Sequence, residues 1–506
     1  MAQILCNAPG TRLAAAPSKP ESCLKVRKMM KNRAIVWGLF LLLFVRLLAM
    51  IWVPLTDPTE ARYAEIARKM VETGNWITPQ FDYGVPFWAK PPLHTWLSAA
   101  GIAIFGTTAF TARLGILLAS LATLTILWQW ACTLTDRRTA TIAVLVAASS
   151  GLFYVSAAFV QTDMVLTLGV TASMAGFYNG LAGSRRWGWL FFLGLAIGLL
   201  AKGPVAVVLS ATPIAVWMLW RGNWRDLKHL PWAGGLTLCA VLVIPWYAAA
   251  EIATPGFLKY FLIGEHIQRF LQPGWSGDLY GAGREHARGS IWLFWIVATL
   301  PWSPLLPVLI WRLRKNGMPD GKGLHLYLLL FALTPLVFFT PAANILLAYV
   351  LPGVPAAALL AVILWTRTGP AGAGWLKLGV VEVLLIFLVI TIGSFFGLGR
   401  SFLPTQAPLI ASYSGPGRLA ILGGRSFSAE FYTQDKIVRF QTLNELAAWL
   451  KPGDGVLVPK SAYDAFAARF GNAVKPISED RKYLLFIPIP AASVAKGTGA
   501  AAGAVI

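Results

Sequence analysis

Apolar stretches long enough to cross a bilayer recur along this chain from residue 33 to residue 398. They fall near 33–53, 111–134, 139–159, 164–182, 187–201, 203–220, 234–250, 290–311, 324–340, 343–365 and 375–398. That is about eleven spans, and shorter segments such as 93–105 raise the count to thirteen. The segment 93–105 follows Pro91 and Pro92 and is short for a crossing, so it reads as an interfacial or re-entrant helix.

Two regions break this pattern. Between the first two spans, Asp57–Lys90 reads DPTEARYAEIARKMVETGNWITPQFDYGVPFWAK and gathers charge in a chain with little of it. Within it Tyr63, Ile66, Ala67 and Met70 recur at helical spacing, which predicts an amphipathic helix over Glu60–Val71. Such a helix should lie flat on the membrane surface and stop at Gly74 and Asn75. After Phe396, residues 400–420 form a Gly/Pro/Ser-containing linker, and 421–489 alternate short strands (AILGG, GVLVP, KYLLFIPI) with helices (LNELAAWL, SAYDAFAARF). The expected architecture is therefore an all-α polytopic membrane protein of about 11–13 transmembrane helices, with a small C-terminal α/β soluble domain. Its parts are a disordered cytoplasmic tail at 1–28, a membrane domain at 29–399, the soluble domain at 421–489 and a disordered Ala/Gly-rich tail at 490–506. The charged loop follows Trp52–Pro54 without a small-residue cleavage site, so the first span reads as an uncleaved signal anchor.

Charge sets the topology. The chain is 57% hydrophobic and 13% charged with a net charge of +21, and its basic clusters sit in short loops. KVRKMMKNR, Arg137/Arg138, Arg185/Arg186, residues 221–228, residues 312–315 and Arg367 are placed in the cytoplasm. Threading the spans between them sends Asp57–Lys90, Asp163, Lys202, residues 251–288 and the turn at Pro341–Asn344 to the opposite, extracytoplasmic face. The positive charge thus reads as topology and anionic-lipid binding; without a basic, aromatic-interleaved soluble domain, no nucleic-acid partner is expected. Cys6, Cys23, Cys132 and Cys239 show no disulfide or zinc spacing.

The candidate chemistry lies on that one face. Asp57, Glu60 and Arg62 stand at the exit of a span, where carboxylates can do acid/base work and a guanidinium can hold a phosphate. The same residues also suit a capped surface helix, with Asp57 as N-cap and Glu60 completing a capping box. Lys90 in FWAKPPLHTW suits a phosphate oxygen or a snorkelling position. Asp163 in VQTDMVLTL is the lone carboxylate between Asp136 and Asp226. Lys202 in LLAKGPVA is an ionisable group at the edge of a span, a functional candidate by position. In GEHIQRF, His266 and Arg269 are three apart on an expected helical turn and could pair with phosphate, while Glu265/His266 offer two ligands to a divalent cation.

In this order, DPTEARYAEIARKM, GNWITPQFDYGVPFWAKPPLHTW, QTDMVL, AKGP, EHIQRF and AYVLPGVPAAALL resemble the ArnT-like (aminoarabinose lipid A transferase) branch of the GT-C membrane glycosyltransferases, whose superfamily includes the protein O-mannosyltransferases. The resemblance covers most of 33–365. It implies a GT-C fold with a periplasmic active site in a bacterial inner membrane, an undecaprenyl-phosphate-linked sugar donor and a lipid A (lipopolysaccharide) phosphate acceptor. It places the family's acidic loop motif on Asp57 and Glu60, its arginine on Arg62, its phosphate-binding lysine on Lys90, its second-loop aspartate on Asp163, its histidine/arginine pair on His266 and Arg269, and its tyrosine on Tyr349. Ala89 and Ile345 depart from the family pattern, which often has an acid and a lysine there. Glycosylation of protein or another envelope polymer is the alternative on the same scaffold. A secondary transporter fits less well, since the charges gather at one interface and no internal repeat is visible.

Overall fold

In lipid the backbone must satisfy its own hydrogen bonds, so apolar stretches of this length become helices. A computed structural model describes residues 21–281, 286–317, 319, 322–368 and 373–489, and among these the membrane portion is helical. Six helices are long and apolar enough to cross a membrane: Arg33–Trp52, Ala109–Leu134, Thr162–Leu181, Trp232–Ala253, Leu347–Thr368 and Trp375–Phe395. A pair bent by 100°, Ser290–Ala298 with Ser303–Asn316, brings the number to seven. The other expected spans are helical but shorter or divided. The stretch 139–159 breaks between α-helices Arg137–Ala148 and Gly151–Ser156, where the hydroxyls of Ser149 and Ser150 bond back to the Leu145 and Val146 carbonyls at 2.5 and 2.8 Å. Val205–Arg221 and Gly323–Phe339 are apolar but shorter than a full crossing. The first helix begins at Glu21, inside the expected tail, while residues 1–20 and 490–506 lie outside the described residues.

Two helices are packed unusually closely, Thr162–Leu181 (here α1) and Arg185–Lys202 (α2). A Cβ at Gly169 would come within 2.7 Å of the Gly194 carbonyl oxygen, and one at Gly176 within 2.4 Å of the Phe191 nitrogen. Small residues let the two backbones touch, as membrane helices require for tight association. Because α1 and α2 are antiparallel neighbours, this contact carries the start of α1 (Asp163) to the end of α2 (Lys202). Gly176→Val is therefore expected to destabilise the protein by about 1–3 kcal/mol or more through overpacking, read as a lower thermal unfolding midpoint in detergent.

The C-terminal region forms a five-stranded sheet of order β4-β3-β5-β7-β6, following a two-stranded hairpin (β1, Gln80–Asp82; β2, Val85–Pro86) in the charged loop. Strands β3 (Leu419–Leu422), β5 (Gly455–Pro459) and β7 (Tyr483–Pro488) coincide with the expected strands. Strands β4 (Val438–Phe440) and β6 (Val474–Glu479) were not anticipated, and neither was the helix Phe427–Thr433. Side chains alternate between the two faces: Ala420, Leu422, Val456 and Val458 pack on one side, Ile421, Leu457 and Leu485 on the other.

The loop helix spans Thr59–Thr73 and stops at Gly74, whose φ of +67° suits a left-handed cap. It does not lie on a lipid surface. Glu65, Arg68 and Lys69 are buried on the face that should have met water, because the helix Phe427–Thr433 and Leu93–Phe105 pack around it. Lys69 is 0% exposed and its Nζ lies 3.3 Å from Asp82, 3.4 Å from Asp435, 3.7 Å from Glu65 and 3.8 Å from Glu430. Charge that looked like a solvated face is the seam joining the loop to the C-terminal sheet.

Candidate active site

At the end of the helices where the charged loop emerges there is a cavity of about 330 Å³. Asp57 and Arg62 reach it from the loop helix and its entry turn, Lys90 from the Trp88–Pro92 segment, and Asp163 and Lys202 from the facing ends of α1 and α2. Arg269 comes from the segment after Trp232–Ala253, and Tyr349 from the turn preceding Val354–Thr368. Seven of the nine expected site residues thus line one space, although they come from loops far apart in sequence. Asp278, Tyr280 and Gln161, which the sequence did not single out, line it too.

The cations are held by carboxylates. Lys202 Nζ lies 2.5 Å from Asp163 Oδ1 and 4.2 Å from the Tyr349 ring centre. Glu265 accepts from Lys90 Nζ at 2.7 Å and from Arg269 Nη1 at 3.0 Å, and Arg269 also faces Asp278 at 3.4 Å. Burial works against ionising Glu265, but Lys90 and Arg269 outweigh it and keep its carboxyl below the usual range. Arg62 differs. Its Nη1 donates to the Tyr280 carbonyl at 2.9 Å, its Nε has no partner, and among the described residues no carboxylate pairs with it.

Asp57 is held from the C-terminal unit. Its Oδ1 accepts from the Ser428 backbone N–H at 3.0 Å, and its Oδ2 from the hydroxyls of Ser428 at 2.6 Å and Ser426 at 2.9 Å. Burial pushes its carboxyl up, and the serine donors pull it back in part. The expected cap is absent, since Pro58 occupies the N-cap position and no side chain caps the helix.

Two expected site residues stand outside this cavity. Glu60 is 1% exposed and forms a bidentate pair with Arg113, at 2.7 Å to Nε and 2.9 Å to Nη2. Its place is structural, because the Arg113 guanidinium is buried and needs a countercharge. Glu60→Gln is accordingly expected to cost about 3–5 kcal/mol of stability, seen in thermal unfolding, with little change in the KM of whatever protein still folds. His266 lines a smaller neighbouring cavity of about 170 Å³ that shares Lys90, Lys202, Arg269 and Tyr349. Tyr260–Gln268 winds as a π-helix, so the three-residue spacing does not align His266 with Arg269. Glu265 meets Arg269 instead, and the His266 ring nitrogens face the Phe261 carbonyl at 2.7 Å and the Lys202 carbonyl at 3.2 Å.

The Glu265/His266 pair therefore does not fit a divalent cation: the carboxylate is committed to two side-chain cations, and both ring nitrogens face backbone carbonyls, only one of which the single N–H of the neutral ring can serve. Among the described residues, Glu65, Glu430 and Asp435 are close enough to share an ion, and the Lys69 ammonium already sits beside all three. In the sequence Arg284–Glu285–His286–Ala287–Arg288, which also gathers polar side chains, Arg284 and Glu285 lie outside the described residues.

The arrangement of helices is that of a multispan GT-C membrane glycosyltransferase. ArnT from Cupriavidus metallidurans bound to undecaprenyl phosphate matches with a TM-score of 0.70 at 20% identity, over 91% of this chain and 99% of that one. The family described as dolichyl-phosphate-mannose-protein mannosyltransferase matches residues 32–261. The undecaprenyl phosphate-alpha-4-amino-4-deoxy-L-arabinose arabinosyl transferase of Pseudomonas aeruginosa (strain UCBPP-PA14) is 31% identical over 76% of this chain and 75% of its own length. This chain belongs to that arabinosyl transferase family. The relative of the same name in Aeromonas hydrophila is 34% identical over 62% of this chain, which spans 57% of that protein's length.

Proposed function

We propose that this protein transfers a sugar of the aminoarabinose type from an undecaprenyl-phosphate carrier to a phosphate of lipid A, at the extracytoplasmic face of the bacterial inner membrane. The observation that carries this reading is the cavity itself: Arg62, Lys90, Lys202 and Arg269 meet Asp57 at the mouth of the membrane helices. A lipid phosphate is both the leaving group and the acceptor, so negative charge must be held at two places, and fixed cations supply that. Relatives named for an undecaprenyl-phosphate-linked aminoarabinose, and a similar fold solved with undecaprenyl phosphate, support the choice of donor.

In the reaction, an acceptor phosphate oxygen forms a bond to the anomeric carbon. The bond from that carbon to the carrier phosphate breaks, and undecaprenyl phosphate leaves with the electron pair. The acceptor is already anionic near neutral pH and needs little deprotonation. Lys90, Lys202 and Arg269 would hold the departing phosphate and Arg62 the incoming one, while Asp57 faces the positive charge that develops on the sugar. Asp163 fixes the Lys202 ammonium and Tyr349 packs under it.

The match to protein mannosyltransferases favours one second reading, transfer to a Ser or Thr hydroxyl with Asp57 as general base. Mass spectrometry of lipid A from cells with and without the protein separates the two. The proposal expects lipid A to gain the mass of one aminopentose, lost on deletion. Unchanged lipid A in cells making the protein would contradict it, and glycosylated protein there would support the second reading. Arg62→Ala is expected to weaken use of the phosphate substrate about 10- to 100-fold in kcat/KM, the loss of one hydrogen bond to a charged group, as measured with purified protein.

A further inference from the structure

The Asp57 carboxylate enters the cavity with no cation within ion-pair distance among the described residues. Its partners are the hydroxyls of Ser426 and Ser428, more than 360 residues away in sequence. Both serines are buried at the start of the helix Phe427–Thr433, and both face the side-chain amide of Gln406, Ser428 at 2.7 Å.

Counting protons resolves this cluster. Two hydroxyls have two protons, yet each Oγ approaches both the Asp57 carboxylate and the Gln406 amide. The structure places Gln406 Oε1 toward both hydroxyls, where it competes with Asp57 for their protons. Exchanging the amide oxygen and nitrogen turns its NH₂ to the serines, so that the amide donates to both hydroxyls and each hydroxyl donates to Asp57. The remaining lone pairs are then used as well. Ser428 Oγ also accepts from the Gln406 backbone N–H at 3.0 Å, and Ser426 Oγ from the Ala429 backbone N–H at 3.2 Å. In that orientation each serine accepts twice and donates once, and both protons go to an ionised Asp57, with the 3.3 Å contact between the two hydroxyls left as the longest in the cluster.

We propose that Ser426, Ser428 and Gln406 are positioning residues that hold the Asp57 carboxylate ionised and oriented at the cavity, so that the C-terminal α/β unit completes the transfer site. This inference rests on the role given to Asp57 above. The other titratable and charged groups around Asp57 do not take over that task. Tyr432 and Tyr483, from the C-terminal side, are phenols whose pKa burial raises, Tyr432 to about 12, so both are neutral. Glu60 is locked to Arg113. Arg62 lines the same cavity but is bonded to the Tyr280 carbonyl. Without the hydroxyls, only backbone N–H donors would oppose the burial that favours the neutral form.

The test is the pH dependence of transfer by the purified full-length protein, using undecaprenyl-phosphate-aminopentose and lipid A. Hydroxyl donors stabilise the carboxylate and lower its pKa, so removing them raises it, and the acidic limb of kcat/KM moves to higher pH. Ser426→Ala with Ser428→Ala is expected to shift that limb up by about one to two pH units. It should lower kcat at neutral pH about 10- to 100-fold, with donor KM nearly unchanged. Ser428→Thr, which keeps a hydroxyl and the backbone N–H, should return the limb to its original place. If the double variant does not fold, Ser426→Ala alone should give a smaller shift of the same sign. A folded variant with the original limb and kcat would overturn the proposal. Asp57→Asn distinguishes the two failures: if it is inactive while the serine variants behave as the parent, only the positioning role falls, and if it is fully active, the role of Asp57 falls with it.

Discussion

Asp57→Asn is expected to lower sugar transfer about 10³-fold or more while leaving the thermal unfolding midpoint within a few degrees of the parent. Asparagine has the same shape and can still accept from the Ser428 backbone N–H, so the joint between the loop and the C-terminal unit survives. What is lost is the negative charge beside the anomeric carbon, which acts only as positive charge develops there. Glu60, three residues further on, makes the contrast. Its carboxylate is spent on Arg113, so its loss should appear in stability and not in the chemical step. Transfer assays and thermal unfolding run on the same preparations check both. Equal turnover for Asp57→Asn and the parent would remove Asp57 from the chemistry.

Lys69→Met is expected to cost about 3–5 kcal/mol of stability and to loosen the C-terminal unit from the loop helix. The methionine fills the volume, but Glu65, Asp82, Glu430 and Asp435 lose the ammonium that stands within 3.8 Å of all four. Arg68, Arg425 and Arg439 remain, each bonded to one or two of these carboxylates, so the deficit is partial and not a full Born cost. Glu65 already shows the strain of the seam, since burial raises its carboxyl to about 7 against the pull of Arg68 and Lys69. The sign of the pH effect follows. In the variant the Glu65 carboxyl, already raised, loses one of the cations that oppose its burial, and a group raised above its unfolded value stabilises the folded state at low pH and loses that contribution as pH rises. The deficit should therefore be largest at pH 8 and shrink toward pH 5. Limited proteolysis near residues 400–420 over that range measures it, with cleavage faster in the variant at the higher pH.

How much of this was legible in the sequence follows from what each residue needs. The membrane helices, β3, β5 and β7 announce themselves because a long apolar run or a strand buried on both faces has to be apolar throughout. Strands β4 and β6 lie at the sheet's two edges, where VRF and VKPISE need no apolar pattern, and Pro476 sits where the pairing register shifts. Asp57, Arg62, Lys90, Asp163, Lys202 and Arg269 stand out in the sequence because ionisable groups beside apolar spans are costly unless used, while Tyr349 is marked only by the family resemblance; all seven line the cavity. Glu60 and Lys69 look the same on that criterion. Only the buried partners, Arg113 in one case and the C-terminal carboxylates in the other, show that their charge is structural. His266 lines the adjoining cavity and is not in register with Arg269 for a geometric reason, since nothing in GEHIQRF signals a π-helical turn. Ser426, Ser428 and Gln406 gave no signal at all, because a hydroxyl that positions a distant carboxylate reads as an ordinary loop residue.

The central claim is that cations and a carboxylate from separate loops act on one phosphate-linked sugar in a single cavity. Its most direct test is product formation by the purified protein, given undecaprenyl-phosphate-aminopentose and lipid A and followed by mass spectrometry. The expected result is lipid A heavier by one sugar and an equal amount of free undecaprenyl phosphate, both lost in Arg269→Ala and in Lys202→Ala. No product from the folded parent protein, or undiminished product from both variants, would contradict it.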